Sequence, residues 1–122
     1  MLDLDHPLAQ EIVERAMAIL PCNVNVMDSQ GLIIGSGEAE RLYTRHEGAQ
    51  RVVSQQCAVE IDRTAAQALR GVQEGVNLPL CLDGRLIGVI GVSGPPDSVR
   101  TFAELVKMTA EMLLAQRSEQ PP

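Results

Sequence analysis

Aromatic residues are nearly missing from this sequence of 122 residues: tryptophan is absent, and Tyr43 and Phe102 are its one tyrosine and one phenylalanine. Proteins that bind single-stranded nucleic acid stack the bases on aromatic side chains, and such a platform cannot be built here. The same scarcity weakens the case for a flat, flavin-type ring. The sequence therefore favours a ligand that is small, polar and not flat, and no cofactor is expected.

Cysteine is also sparse, with Cys22, Cys57 and Cys81 lying far apart and without a Cys-x-x-Cys pair. An odd and scattered set argues against a disulfide framework and against a structural zinc site. We expect three reduced cysteines, with Cys57 buried in a helix. Cys57 and His46 have no third group to orient them as a nucleophile and its base, so the chain is not expected to be an enzyme.

Neither a long apolar run nor an excess of positive charge is present. No run approaches the ~20 residues of a membrane span, and the first five residues are acidic where a secretory signal is basic. The net charge of -6 opposes binding to nucleic acid, whose affinity comes mostly from neutralised phosphates. We expect a cytoplasmic protein that has no membrane partner and does not itself touch DNA.

The length and the hydrophobic content of 45% indicate one globular domain over residues 1–122, with a core of its own. Near the N-terminus, Asp5 can cap a helix that has Pro7 in its first turn. Apolar residues then recur at helical spacing, which places Ile19 and Leu20 on the apolar face. Pro21 ends the predicted helix.

Two stretches of alternation predict two β-hairpins. In the first, residues 23–28 alternate strictly, with Asn25 and Met27 on one face, and a turn leads into a strand over 32–36. In the second, an Asp-Gly turn at 83–84 joins strands over 76–82 and 85–93. Between the hairpins we expect a helix over 47–56, a short strand over 58–61 and a helical turn capped by Asp62.

Proline positions mark two further features. Pro79 falls inside a predicted strand, where it cannot donate to the ladder, so we expect a kink or bulge there. Gly94-Pro95-Pro96 breaks the chain before a long closing helix capped by Asp97 or Ser98. The closing helix has two apolar stripes, of which one can cover the sheet. The other stripe consists of Leu105, Met108 and Met112. It needs a partner, which we expect to be a second copy of the chain.

This order of elements predicts an α+β fold. An antiparallel sheet of about five strands is expected, with N- and C-terminal helices and a helical insert gathered around it. That is the layout of PAS-like sensor folds. In such a layout the strand that follows the inserted helices lies at the edge and pairs only in part with the strand that carries Pro79.

The segment 41–49 gathers the groups of an anion site ahead of a predicted helix. Arg41 offers a planar fork that matches two carboxylate oxygens, His46 offers a hydrogen-bond donor, and Gly48 and Ala49 offer backbone N–H groups at the positive helix end. The simpler interpretation is a solvated helix entrance. In that case Arg41 pairs with Glu38 or Glu40 at the surface, and His46 is structural.

Seven segments, taken in order, resemble a known family, the sugar diacid recognition domain. They are residues 23–28, 31–37, 41, 46–49, 71–79, 88–91 and 108–112. That domain is the N-terminal sensor of the carbohydrate diacid regulators, which are transcription factors. The resemblance implies a PAS-like pocket for a sugar diacid or a related hydroxy acid of the glycerate, glucarate and galactarate class. It also implies a C-terminal helix-turn-helix domain, which this sequence lacks, so DNA contact is expected only through such a domain.

With that ligand class implied, the expected contacts can be assigned to residues. Arg41 binds the carboxylate, while His46 and the N–H groups of Gly48 and Ala49 complete the anion cradle. Asn77 and Ser36 supply hydroxyl contacts. Ligand binding is expected to be signalled through the helices, above all through the closing helix.

Two other functions stay open from the sequence. A PAS-like fold can hold haem, in which case His46 would be the axial ligand. Alternatively, the chain is a ligand-free dimerisation module, and the apolar stripes of the closing helix are its whole function.

Overall fold

The computed structural model of this protein describes residues 3–119. Its elements are α1 (His6–Met17), β1 (Val24–Asp28), β2 (Ile33–Ser36), a 3-10 turn (Ala39–Arg41), α2 (Glu47–Gln55), β3 (Val59–Ile61), α3 (Arg63–Gln67), β4 (Gly75–Leu82), β5 (Arg85–Ser93) and α4 (Pro96–Ser118). The strands form one antiparallel sheet in the order β2-β1-β5-β4-β3. The predicted five-stranded α+β arrangement is confirmed, as are both hairpins.

The two faces of the sheet carry different helices because side chains alternate along each strand. One face packs against α1 and α4 through residues such as Val24, Val26 and Ile90. The other face packs against α2, where Met27 and Val89 meet helix residues that include Ala49. Asn25 belongs to the second face, as the alternation of β1 predicted.

Helix α1 begins as predicted but ends early. The Asp5 side chain accepts a hydrogen bond from the N–H of Leu8 at 3.1 Å, which caps the helix. The helix ends at Met17, and the N–H groups of Ile19 and Leu20 both turn back to the carbonyl of Ala16. Ile19 therefore leaves the apolar face and is 85% exposed, so its predicted burial was wrong.

The end of α2 places Cys57 in solvent. Gln56 follows the helix with φ +56°, a left-handed conformation that terminates it. Cys57 lies beyond this cap and is exposed. The expectation that it is buried in the helix was wrong, because the helix stops before reaching it.

Strand β4 has an outer neighbour along only part of its length. Strand β3 pairs with it from Gly75 to Asn77, so within residues 3–119 no strand pairs with the segment around Pro79 on that side. A proline is tolerated there since no neighbour needs its N–H. The register shift falls just after it, between Leu80 and Cys81.

Side chains of α4 cover this open segment of β4. The Lys107 ammonium donates to the carbonyl of Pro79 at 2.5 Å and to the Glu111 carboxylate at 2.7 Å. The same carboxylate accepts from the N–H of Cys81 at 2.8 Å. Helix and strand edge are thereby joined by a small polar cluster.

The predicted cap of α4 at Asp97 or Ser98 was wrong, because the helix begins earlier, at Pro96. Pro95 is its cap and Asp97 lies in its first turn, because prolines at this point already fix helical φ values. Its inner residues are buried on the sheet, while Leu105, Met108 and Met112 are 51%, 52% and 64% exposed. None of the helices within residues 3–119 is long and apolar enough to cross a membrane.

Candidate functional site

His46 forms the start of helix α2. The residue is 4% exposed, and its Nδ1 accepts a hydrogen bond from the N–H of Ala49 at 2.9 Å. A neutral imidazole that accepts at Nδ1 carries its proton on Nε2. His46 therefore caps the helix and keeps one donor, while the N–H of Ala49 is already satisfied within the protein.

Gly48 lets the imidazole lie close to the helix. A Cβ at this position would fall 2.9 Å from Cε1 of His46 and 2.6 Å from Cδ1 of Ile61. Gly48 is thus packed between the imidazole and strand β3. Within the described part of the chain its N–H has no acceptor, and it lies at the positive end of the helix dipole.

The pKa of His46 is lowered to about 4, mainly because burial penalises the charged ring and secondly because Arg41 repels a positive charge. His46 is consequently neutral at physiological pH. It offers Nε2–H to an acceptor and adds no charge of its own.

Arg41 is a half-satisfied guanidinium. Its side chain is 13% exposed, and Nη2 donates to the carbonyl of Gly71 at 2.7 Å. Nη1 is buried, and no residue in the range 3–119 accepts a hydrogen bond from it. The Glu38 carboxylate lies 3.9 Å from Nη1, which is beyond hydrogen-bonding distance. A buried charged donor without an acceptor is costly, so this atom is suited to receive an anion.

The loop that precedes β4 is hydrogen-bonded to the start of α2. Gly71 has φ +69°, and a Cβ on it would lie 2.2 Å from the carbonyl oxygen of Arg45. Next to it, the N–H of Glu47 donates to the carbonyl of Arg70 at 3.3 Å, and the Glu47 carboxylate accepts from the N–H of Arg70. Gly71 was not among the predicted site residues, and its position at the start of a loop was the available signal.

Ser36 belongs to a neighbouring polar cluster on β1 and β2. Its hydroxyl donates to Oδ1 of Asn25 at 2.6 Å and accepts from the N–H of Glu38 at 3.0 Å. Asn23 also donates to Oδ1 of Asn25, at 3.3 Å, while its own Oδ1 is buried without a partner within residues 3–119. Ser36 is therefore joined to the Arg41 region through Glu38.

Asn77 lies further along the sheet. It is 3% exposed, and its amide donates weakly to the carbonyl of Val59, at 3.4 Å. Its Oδ1 stands over Gly91, where a Cβ would be 2.7 Å away. Gly91 pairs with Asn25 on its other side, so the two asparagines share one row of the sheet. No described contact links Asn77 to Arg41.

The structure thus groups four of the six predicted site residues at the start of α2. Arg41, His46, Gly48 and Ala49 lie together there, Ser36 is connected through Glu38, and Asn77 is separate. The arrangement presents one cation and two neutral N–H donors. Such a set is suited to holding a carboxylate or hydroxyl oxygen.

Replacing His46 with asparagine should make the fold less sensitive to acid. Because the folded pKa of His46 is below its ordinary value, its contribution to stability is complete above pH 6.5 and is lost as the pH falls toward 4. That loss is at most about 3.5 kcal/mol, at roughly 1.4 kcal/mol per pH unit. Asparagine can still cap the helix but does not titrate.

Urea denaturation at several pH values would measure this effect. The free energy of unfolding of the wild-type protein should fall more steeply between pH 6.5 and 4 than that of His46→Asn. Carboxylates titrate in both proteins. The difference between the two slopes of the free energy of unfolding against pH therefore gives the contribution of His46 alone. Parallel curves would show that His46 is not buried in its neutral form.

Comparisons with known proteins cover almost the whole chain. A sequence model of the family described as "putative sugar diacid recognition" matches residues 4–121. The chain is 53% identical over 113 residues to the carbohydrate diacid regulator of Escherichia coli (strain K12), covering 93% of this chain and 29% of that protein. It is 47% identical over 118 residues to an uncharacterized protein of Haemophilus influenzae, covering 96% and 32%. The chain thus spans about three tenths of the length of these relatives.

Solved structures share the fold at low sequence identity. A crystal structure of residues 122 to 287 of a methyl-accepting chemotaxis protein matches with a TM-score of 0.66 at 14% identity, covering 91% of this chain and 88% of that one. A crystal structure of the E. coli DhaR(N)–DhaL complex matches with a TM-score of 0.66 at 18% identity, covering 92% and 48%. These similarities confirm the predicted PAS-like fold.

Proposed function

This chain belongs to the sugar diacid recognition family, and from that membership we propose that it is the ligand-sensing domain of a transcriptional regulator. Its ligand is a small hydroxy-carboxylate of the glycerate, glucarate and galactarate class. The family is one of regulator sensor domains and not of enzymes. The site described above is accordingly proposed to bind its ligand without changing it.

The observation that supports this proposal is the buried Nη1 of Arg41. It is a charged donor that lacks an acceptor in the described protein, beside a neutral histidine and an open helix start. A carboxylate oxygen on Nη1 would satisfy it with a charge-assisted hydrogen bond. Nε2 of His46 and the N–H of Gly48 then take the second carboxylate oxygen or a ligand hydroxyl.

A thermal-shift screen tests the proposed ligand class. The compounds are glycerate, glycolate, glucarate and galactarate, with propionate as a carboxylate that has no hydroxyl and haem as the competing cofactor. A ligand present at a hundred times its dissociation constant adds about 2.7 kcal/mol to the free energy of unfolding. For a domain of this size the midpoint should rise by roughly 10 °C. If no hydroxy acid raises the midpoint, the proposed function fails.

We also propose that two copies associate through their terminal helices. Leu105, Met108 and Met112 are spaced three and four residues apart and form an exposed apolar seam on α4. A groove beside the seam, between α1 and α4, is lined by apolar residues that include Ile12 and Leu113. A second α4 would cover both the seam and the groove.

Met108→Glu should convert this dimer to a monomer. A charge in the middle of an apolar seam is desolvated without a partner, which should weaken association by about 100-fold or more. Sedimentation velocity over a range of concentrations measures the change. Met108→Leu conserves volume and apolarity and should remain dimeric. A wild-type chain that is monomeric at all concentrations would contradict the proposal.

Signalling is proposed to run from the start of α2 to α4 through strand β3. Gly48 packs on Ile61, and the adjacent Glu60 receives two hydrogen bonds from Arg100 of α4, at 2.5 and 2.7 Å. A ligand that shifts the start of α2 would therefore move α4 through two contacts. DNA binding is assigned to another part of a longer regulator, because this chain carries a net charge of -6.

A further inference from the structure

The two flanks of the apolar seam on α4 differ in charge. On one side, the acidic flank, Glu104 and Glu111 lie two helical turns apart and line a shallow depression beside the seam. On the other side, the groove flank, Thr109 and Gln116 line the groove between α1 and α4. Arg15 of α1 lines the same groove, and its side chain is 68% exposed. An acidic surface and a surface that includes a cation therefore border the same seam.

The seam has the spacing of a two-stranded coiled coil. Five residues of α4 follow the alternating four- and three-residue steps of a heptad repeat: Thr101, Leu105, Met108, Met112 and Ala115. The acidic flank occupies the g positions of this repeat, and the groove flank occupies the e positions. Side chains at e and g meet across a coiled coil and set the orientation of its helices. The flanks therefore decide how two copies of α4 are oriented.

An antiparallel arrangement brings like flanks together. The g positions then face each other, so each Glu104 would lie opposite a glutamate of the other copy, and groove would face groove. Lys107 does not relieve this repulsion, because it is turned toward β4, where it donates to the carbonyl of Pro79 and pairs with Glu111. Glu104 has no ion pair among the described residues. Like charges placed side by side oppose association.

We propose that two copies of this chain pair through α4 helices that run parallel and in register, with the acidic flank of each copy lying on the groove flank of the other. This proposal rests on the proposed association through the terminal helices and specifies its geometry. Glu104 and Glu111 then face the hydroxyl and amide donors of Thr109 and Gln116, and the guanidinium of Arg15 lies on the rim of the same groove. The carboxyl ends of both α4 helices lie side by side.

Disulfide trapping at two seam positions tests this orientation. Leu105→Cys and Met112→Cys are each prepared in a Cys57→Ser background, because Cys57 is the exposed natural cysteine among the described residues. Both variants should form disulfide-linked dimers under mild oxidation, since in a parallel pair each position meets its own counterpart. In an antiparallel pair at most one of them can do so. Seven residues of helix span about 10 Å, whereas a disulfide needs Cα atoms within about 7 Å.

Arg51→Cys in the same background is the matched control for random collision. Arg51 is exposed on α2, on the other face of the sheet from α4, and should give several-fold less disulfide. Adding Met108→Glu should remove the disulfide at both seam positions, because this change separates the copies. A mixture of the two seam variants, one of them tagged, should give no mixed disulfide.

Trapping at only one seam position, or a dominant mixed disulfide, would overturn the parallel arrangement. Trapping at neither position in a protein that sediments as a dimer would overturn it as well, and would place the interface on another surface. A protein that is monomeric at all concentrations would refute both the association and this proposal. Ligand sensing is measured separately by the thermal-shift screen, so its failure is distinguishable from each of these outcomes.

Discussion

Arg41→Gln is expected to abolish the response to hydroxy acids, with the affinity for the ligand falling by about 100-fold or more. Glutamine removes the positive charge and the forked pair of donors, and losing one partner of a buried charge pair costs about 2–5 kcal/mol of binding. The unliganded protein should keep nearly the same stability. The lost hydrogen bond to Gly71 is offset because a buried and unsatisfied charged donor is also removed.

Calorimetric titration with glycerate measures the affinity, and Arg51→Gln is the matched control. Arg51 is exposed on α2 and was not assigned to the site, so the same substitution there should leave binding intact. A ligand response that survives Arg41→Gln would place the carboxylate elsewhere in the protein.

Gly71→Ala should be the most destabilising of the conservative changes near the site. The new Cβ would lie 2.2 Å from the carbonyl oxygen of Arg45, and the φ of +69° is itself unfavourable for alanine. The left-handed conformation costs about 1–2 kcal/mol, and the clash adds roughly 1–3 kcal/mol. The melting midpoint should fall by roughly 10 °C or more.

Gly84→Ala separates these two costs. Gly84 has a similar φ of +75°, but nothing lies within 4 Å of a Cβ built on it. The melting midpoint of Gly84→Ala should therefore fall by only about 4–8 °C, which is the effect of the backbone conformation alone. Equal midpoints for the two variants would show that the loop at Gly71 moves away from Arg45 at no cost.

Local patterns predicted the elements of this fold well. Strict alternation in β1 identified the buried face of Asn25 and Met27, and the acidic caps Asp5 and Asp62 both accept the expected backbone hydrogen bonds. These features depend on neighbouring residues alone, which is why sequence periodicity and cap preferences are sufficient to find them.

The site was predictable only in part because its contacts join distant segments. The sequence brought Arg41 and His46 into one short stretch, and the structure keeps them together. The sequence gave no sign that the carbonyl of Gly71, thirty residues away, accepts a hydrogen bond from Arg41. It also gave no sign that His46 caps its own helix. Histidine is not among the preferred cap residues, so the usual cap signals did not identify His46 as the cap of α2.

The polar cluster between α4 and β4 has a consequence for aggregation. Beyond Asn77 no strand of the described chain pairs with the outer edge of β4, and an uncovered edge is a template on which a strand of another molecule can add. Here the carbonyl of Pro79 is occupied by Lys107, the proline has no N–H to offer, and the N–H of Cys81 is occupied by Glu111. These backbone positions are therefore not available to an incoming strand, which disfavours strand addition at this edge.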